Sequence, residues 1–161
     1  KIRSLRDHGM NPDKKYWHDV VGYNYRMTNL QAAIGVAQLE RIDEMLDFRN
    51  ELEKKYKTAL SSINNLTFQE NFNDSKKVVW LICALIDAEK RDLVLQELQK
   101  NKIDGRPFFY PLSEMPLYKP FAKLNYPNSN EISARGINFP TNNEVSEESL
   151  SVITSVLLNH I

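Results

Sequence analysis

One cysteine, Cys83, is all the chain holds in 161 residues, so no internal disulfide can staple it. Net charge is missing as well: Lys plus Arg and Asp plus Glu number 21 each. A dedicated nucleic-acid binder carries a basic excess on one face, so nucleic acid is not an expected partner. The same balance leaves little charge repulsion against self-association. No apolar run approaches the ~20 residues that cross a bilayer, and no membrane partner is expected. Internal repeats and low-complexity tracts are absent. Cys83 lies within an apolar run and reads as a small core residue, and a lone thiol fits a reducing, cytoplasmic setting. The chain begins at Lys1 with neither a methionine nor a signal-peptide pattern. It is therefore expected to be a piece of a longer protein, whose preceding portion could carry chemistry.

What is present suits one ordinary soluble domain, with 42% hydrophobic and 26% charged residues. Residues 1–27 read as irregular, broken by Gly9, Pro12, Asp13, Gly22 and Asn24, with a short strand expected from Ile2 to Leu5. So long a segment, rich in His, Tyr, Trp and Asn, is more than a connector. Thr28 and Gln31 then form a capping box, in which each side chain satisfies a backbone N–H of the other. Apolar residues from Leu30 to Ala59 recur at three- and four-residue spacing, which predicts one long helix over residues 28–60, roughly 45 Å in length. Its small first turns, with Ala32, Ala33, Gly35 and Ala37, permit close approach of another element.

Downstream, Val78 to Ile86 reads as a buried strand, and Asp87 caps a helix from Ala88 to Lys100 with Leu93, Val94, Leu95 and Leu98 inward. Arg106 to Tyr110 is extended. Residues 112–127, with Pro116, Pro120 and Pro127, read as loop. Asn128 and Glu131 cap a short helix to Arg135, Gly136 to Pro140 is a strand, and Ser146 opens a terminal helix. The order predicts an α+β fold: a small sheet covered by helices, with one long N-terminal helix.

The segment Gly22-Tyr23-Asn24-Tyr25-Arg26-Met27-Thr28 carries the most chemistry. It leads into a helix N-terminus, where free N–H groups favour anions. Asn24 offers amide donors and Arg26 a planar fork for phosphate or carboxylate. The plain structural reading of the same residues stays open: Asn24 supports a turn, Arg26 pairs with a carboxylate, and the tyrosines pack. His8 and His18 stand in no metal-type spacing with cysteines or carboxylates, so no metal is expected.

Three blocks carry a resemblance. The first is His8-Gly9, Tyr16-Trp17-His18, and Val21 through Gly35 with Gln38-Leu39. The second is Gly105-Arg106-Pro107-Phe108-Phe109-Tyr110-Pro111-Leu112 with Met115-Pro116, and the third runs from Ile132 to Pro140. Together they closely resemble the DegT/DnrJ/EryC1/StrS aminotransferases, fold-type I enzymes that use pyridoxal 5'-phosphate (PLP). The second block resembles the perosamine-forming members. The resemblance implies the small C-terminal domain of such an enzyme. Residues 1–27 would end a large PLP domain that lies upstream, residues 28–60 would be a connecting helix, and residues 61–161 the small domain. Carried over position by position, Asn24 would reach the cofactor phosphate of a neighbouring subunit. Tyr25, Arg26, Arg106, Phe108 and Tyr110 would line the substrate site.

The implied reaction moves an amino group from glutamate to a nucleotide-linked keto-deoxysugar, in amino sugar synthesis for surface polysaccharide, by a homodimer. Two departures bear on the sugar nucleotide: Gly105 replaces a common threonine, and Ser113 replaces a frequent histidine. No lysine here sits in the context of the family's Schiff-base lysine, which precedes a glycine-rich stretch. No catalytic residue is therefore assigned, and the fragment alone is expected to be inactive. A PLP-dependent sugar dehydratase of the same fold and a non-catalytic dimerisation module are the alternatives.

Overall fold

The computed structural model describes residues 1–161 and divides into two compact units, Lys1–Glu44 and Met45–Ile161.

The first unit opens with a short helix, α1 (Ile2–Arg6), where a strand was expected. Its last carbonyls explain the preference. A helix end leaves carbonyls without partners, and here the following loop supplies the donors. Gly9 N–H bonds Ser4 O at 2.7 Å, Tyr23 N–H bonds Leu5 O at 2.7 Å, and Tyr25 N–H bonds Arg6 O at 3.0 Å. Residues 7–28 fold back on themselves through isolated bridges at Asp7–Asn24 and Met10–His18. The fold-back depends on two glycines in close contact. Gly9 sits at φ +70°, and a Cβ there would lie 1.9 Å from Val20 O. A Cβ on Gly22 would lie 2.0 Å from Gly9 N.

Helix α2 (Asn29–Leu39) follows, with the Thr28–Gln31 capping box formed as expected. Helix α3 (Ile42–Ala59) begins after a two-residue turn at Glu40–Arg41, so the single helix predicted over residues 28–60 is two helices. No proline or glycine breaks it. Arg41 N–H bonds Gln38 O, an i−3 contact that tightens the turn. Asp43 and Glu44 then occupy the first turn of α3, where acidic side chains stabilise a helix start. Arg41 closes on Glu44 through two hydrogen bonds of 3.0 and 3.1 Å.

The second unit holds an antiparallel sheet of order β1-β2-β4-β3, made of β1 (Thr67–Phe68), β2 (Ile82–Leu85), β3 (Arg106–Pro107) and β4 (Gly136–Phe139). One face meets α3, α4 (Ala88–Lys100) and α6 (Glu147–His160). Ile82, Ala84, Ile137 and Phe139 from the sheet join Leu52, Tyr56, Val94, Leu98, Ile153 and Leu157 in one core. Tyr56 is fully enclosed. Its ring stacks on Phe139 at 5.5 Å and its hydroxyl donates to Pro140 O at 3.0 Å. The small sheet covered by helices is the α+β fold expected.

Several elements are shorter than the pattern predicts. Residues 78–81 lie outside β2, and Val78 and Trp80 are exposed. The register explains this: β4 pairs with Ile82 to Leu85 and β1 only with Ala84 and Leu85, so residues 78–81 have no ladder partner. β3 likewise pairs over two residues only. In α4, Val94 and Leu98 are buried, whereas Leu93 faces solvent. Helix α5 (Pro127–Arg135) starts on Pro127 and uses no side-chain cap, because proline at a helix start has no N–H to satisfy. Asn128 therefore caps nothing, and Glu131 pairs with Arg135 at 2.8 Å. Cys83, expected in the core, is only half-buried, on the opposite face of the sheet. No helix is long and apolar enough to cross a membrane.

Candidate functional site

The residues singled out by sequence fall into two groups, one in each unit. In the first unit, Asn24 is held by its backbone bridge to Asp7, and its exposed carboxamide makes no hydrogen bond within the chain. Arg26 reaches Asp7 Oδ1 at 3.4 Å and keeps 64% of its side chain exposed. Tyr25 stacks on Tyr23, with centroids 5.3 Å apart and planes within 11°. The carboxylate pairing and the tyrosine packing thus match the plain structural reading, yet the donors of Asn24 and most of the Arg26 fork remain open. The capping box consumes the N–H groups of Thr28 and Gln31. That leaves the first α2 amides, Asn24 and Arg26 as the donor set for an anion. His18 Nδ1 donates to His8 O at 2.9 Å, which orients the ring. Lys14 lies 3.7 Å over the Trp17 ring, so its ammonium is engaged in a cation–π contact.

The second group lies on the sheet face opposite the core. Register places Cys83, Asn138 and Arg106 in one cross-strand row. The Cys83 thiol donates to Asn138 Oδ1 at 3.2 Å, and Asn138 Nδ2 donates to Pro107 O at 3.2 Å. Burial pushes the Cys83 thiol up, while Lys77 pulls it down and Glu53 pushes it up. Arg106 is held by Asp104, with contacts of 3.0 Å from Nε and 2.6 Å from Nη2 to Oδ2, and this hydrogen bonding raises its pKa. Phe108 covers Gly136, where a Cβ would lie 2.1 Å from the ring. Tyr110 and Phe109 are exposed. Gly105 packs on α4: a Cβ there would meet Leu98 Cδ1 at 2.9 Å, so any larger residue requires that side chain to turn.

Beside this row runs a groove of about 410 Å³, lined among others by Lys77, Trp80, Cys83, Phe108, Phe109 and Asn138. Of these, Lys77, Trp80 and Asn138 escaped the sequence reading. The available signal was alternation: Asn138 stands between the core residues Ile137 and Phe139, and Cys83 between Ile82 and Ala84. Lys77 forms the most enclosed ion pair of the chain, with Glu53, their side chains 14% and 15% exposed. Its Nζ is also 3.4 Å from Gln69 O, so this nitrogen is engaged by two partners.

Comparison with known proteins agrees with this architecture. A GDP-perosamine synthase of Vibrio cholerae is 38% identical over 164 aligned positions, which cover 99% of this chain and 44% of that protein. A GDP-perosamine synthase of Caulobacter vibrioides is 39% identical over 73% of this chain and 33% of its own length. The chain therefore spans less than half the length of these relatives. Spr1654 of Streptococcus pneumoniae, in its PLP form, shares the fold with a TM-score of 0.84 at 22% identity, over 98% of this chain and 42% of that one. The model of the DegT/DnrJ/EryC1/StrS aminotransferase family matches residues 1–157, and the chain belongs to that family.

Proposed function

We propose that this chain is the C-terminal part of a PLP-dependent aminotransferase that moves an amino group from glutamate to a GDP-linked keto-deoxysugar, giving a perosamine-type amino sugar for surface polysaccharide. The carrying observation is the donor set at the start of α2: an unpartnered Asn24 carboxamide and a largely open Arg26 fork, both exposed, on a loop pinned by Gly9 and Gly22. Such a set suits a phosphate. In this reading residues 1–27 close the large domain, residues 28–60 connect, residues 61–161 form the small domain, and the working form is a cytoplasmic homodimer.

The donor chemistry fits PLP as a second-subunit contact. Asn24 would donate to the cofactor phosphate of the neighbouring protomer, and Arg26 with Tyr25 would flank the shared site. When bound, PLP supplies the electron sink for amino transfer. This chain's own residues orient and enclose. Arg106, Phe108 and Tyr110 would face the nucleotide sugar, since an aromatic surface suits a base or sugar face and a guanidinium suits a diphosphate. The anchoring lysine belongs upstream, because an activated lysine needs a desolvated, unpaired amine. Lys14 and Lys77 are both engaged.

The test uses the longer polypeptide that contains this sequence, incubated with PLP, glutamate and a GDP-linked keto-deoxysugar. Mass spectrometry is expected to detect the aminated sugar nucleotide. This chain alone, given PLP, is expected to show no protein-bound cofactor absorption band. A band from the chain alone would refute the upstream lysine, and deoxygenation without amination would favour the dehydratase. Asn24→Ala and Arg26→Ala in the longer protein are expected to weaken cofactor or substrate affinity about tenfold, as loss of a charged hydrogen bond does, with the dimer intact. Loss of the dimer alone would favour a dimerisation module, which the exposed apolar residues of α2 also permit.

A further inference from the structure

We propose that Asp7 is a positioning residue of the anion site: its carboxylate holds one end of the Arg26 guanidinium, so that the other end stays presented to an oxyanion. The inference rests on the shared-site reading above, in which Arg26 flanks the cofactor, and it adds the residue through which Arg26 is held.

Asp7 meets both members of the donor set. Its backbone bridges that of Asn24, with His8 N–H on Tyr23 O and Tyr25 N–H on Arg6 O, each at 3.0 Å. Its side chain reaches Arg26, where Oδ1 accepts from Nη1 at 3.4 Å. The Asp7 backbone is fixed at both polar atoms. Its N–H donates to Ser4 O and its carbonyl accepts from Met10 N–H, both at 3.1 Å. The close contact of Gly9 with Gly22 locks the two segments that carry Asp7 and Arg26 against each other.

The carboxylate has no other hydrogen bond or ion pair within the chain. It stands at the C-cap of α1, and the negative end of a helix repels an acidic group, so it does not serve α1. Both side chains are largely open to solvent, so the pair adds little to stability. What the pair does is restrict a long side chain. A guanidinium carries five N–H donors in a planar fork. Contact at Nη1 leaves Nε and Nη2, which bond nothing in the chain, as an edge for two oxygens of one anion. Ordering that fork in advance removes an entropy cost from binding. The charge of Asp7 by itself repels a phosphate, so its benefit comes from geometry. That opposition of sign separates positioning from plain electrostatics.

The test uses the longer polypeptide that contains this sequence. PLP is titrated into its cofactor-free form and followed by absorbance, and KM and kcat are measured for a GDP-linked keto-deoxysugar. Arg26→Ala identifies which of the two constants, PLP affinity or KM, depends on the guanidinium. Asp7→Ala is expected to weaken the same constant about threefold or more, the effect of one side chain left unordered, with kcat and the thermal melt unchanged. Asp7→Asn keeps an acceptor and drops the repelling charge, so it is expected to bind at least as tightly as the parent. In the Arg26→Ala background, Asp7→Ala is expected to add no further loss, because the two act as a unit. An Asp7→Ala protein that binds as tightly as the parent, an Asp7→Asn protein as weak as Asp7→Ala, or an undiminished loss in the Arg26→Ala background would each overturn the positioning role. If Arg26→Ala itself changes neither constant, the shared-site reading falls and the role of Asp7 falls with it; if only Asp7→Ala is silent, the shared site stands and the positioning role alone is lost.

Discussion

Tyr56 joins the two layers of the second unit through one hydroxyl. Its phenol lies fully inside the core and donates to Pro140 O, and burial pushes its pKa well above the ordinary 10.0. The unfolded chain then releases this proton at lower pH than the folded chain does. Above about pH 10 the folded state binds more protons than the unfolded state, so stability falls as pH rises. Tyr56→Phe is expected to cost about 1–2 kcal/mol near neutral pH, because Pro140 O loses its donor. The same variant should show a shallower loss of stability above pH 10 in denaturant titrations. A parent and variant with parallel alkaline profiles would contradict this account. At this scale the sequence was a partial guide. It singled out Asn24 and Arg26 by residue type and Arg106 through the family resemblance, but the partners Asp7 and Asp104 came from folding. Phe108 and Phe109 are adjacent and alike in type, and only the contact with Gly136 makes Phe108 the inward ring.

Among the elements, α2 buries none of its residues, so local terms dominate its stability. A helix of 11 residues is marginal in water without help. Thr28→Ala removes half of the capping box and should cost about 1 kcal/mol of helix stability, seen as lost ellipticity. Gly35 works the other way. A Cβ there would meet nothing within 4 Å, so Gly35→Ala should raise α2 stability by about 1 kcal/mol in this chain. If the glycine serves close approach of a partner, the same change should weaken assembly of the longer protein, as sedimentation would report. Periodicity located α4, α6 and the Thr28 and Ser146 caps, because those signals are local. It overextended β2 and missed β1, because strand ends are set by the neighbouring strand's length. It also ran α2 into α3, since no helix-breaking residue marks the turn at Glu40–Arg41.

Across the whole molecule, the two units differ in kind. Gly9 is the one buried residue of the first, whereas the second contains the entire hydrophobic core. Burial and cooperative opening go together. Hydrogen exchange on this chain should therefore show weak protection for α2 amides and near-global protection for β2, β4 and α6. Equal protection in both units would contradict the division. Composition, helix periodicity, capping residues and the three family blocks were enough to determine an α+β chain of this aminotransferase family, since each acts through neighbours in sequence. Tertiary structure alone decided which side of each strand meets the core. It alone placed Cys83, Asn138 and Arg106 in a single row, because a sheet face is assembled from strands far apart in sequence, Cys83 and Asn138 being paired across 55 residues.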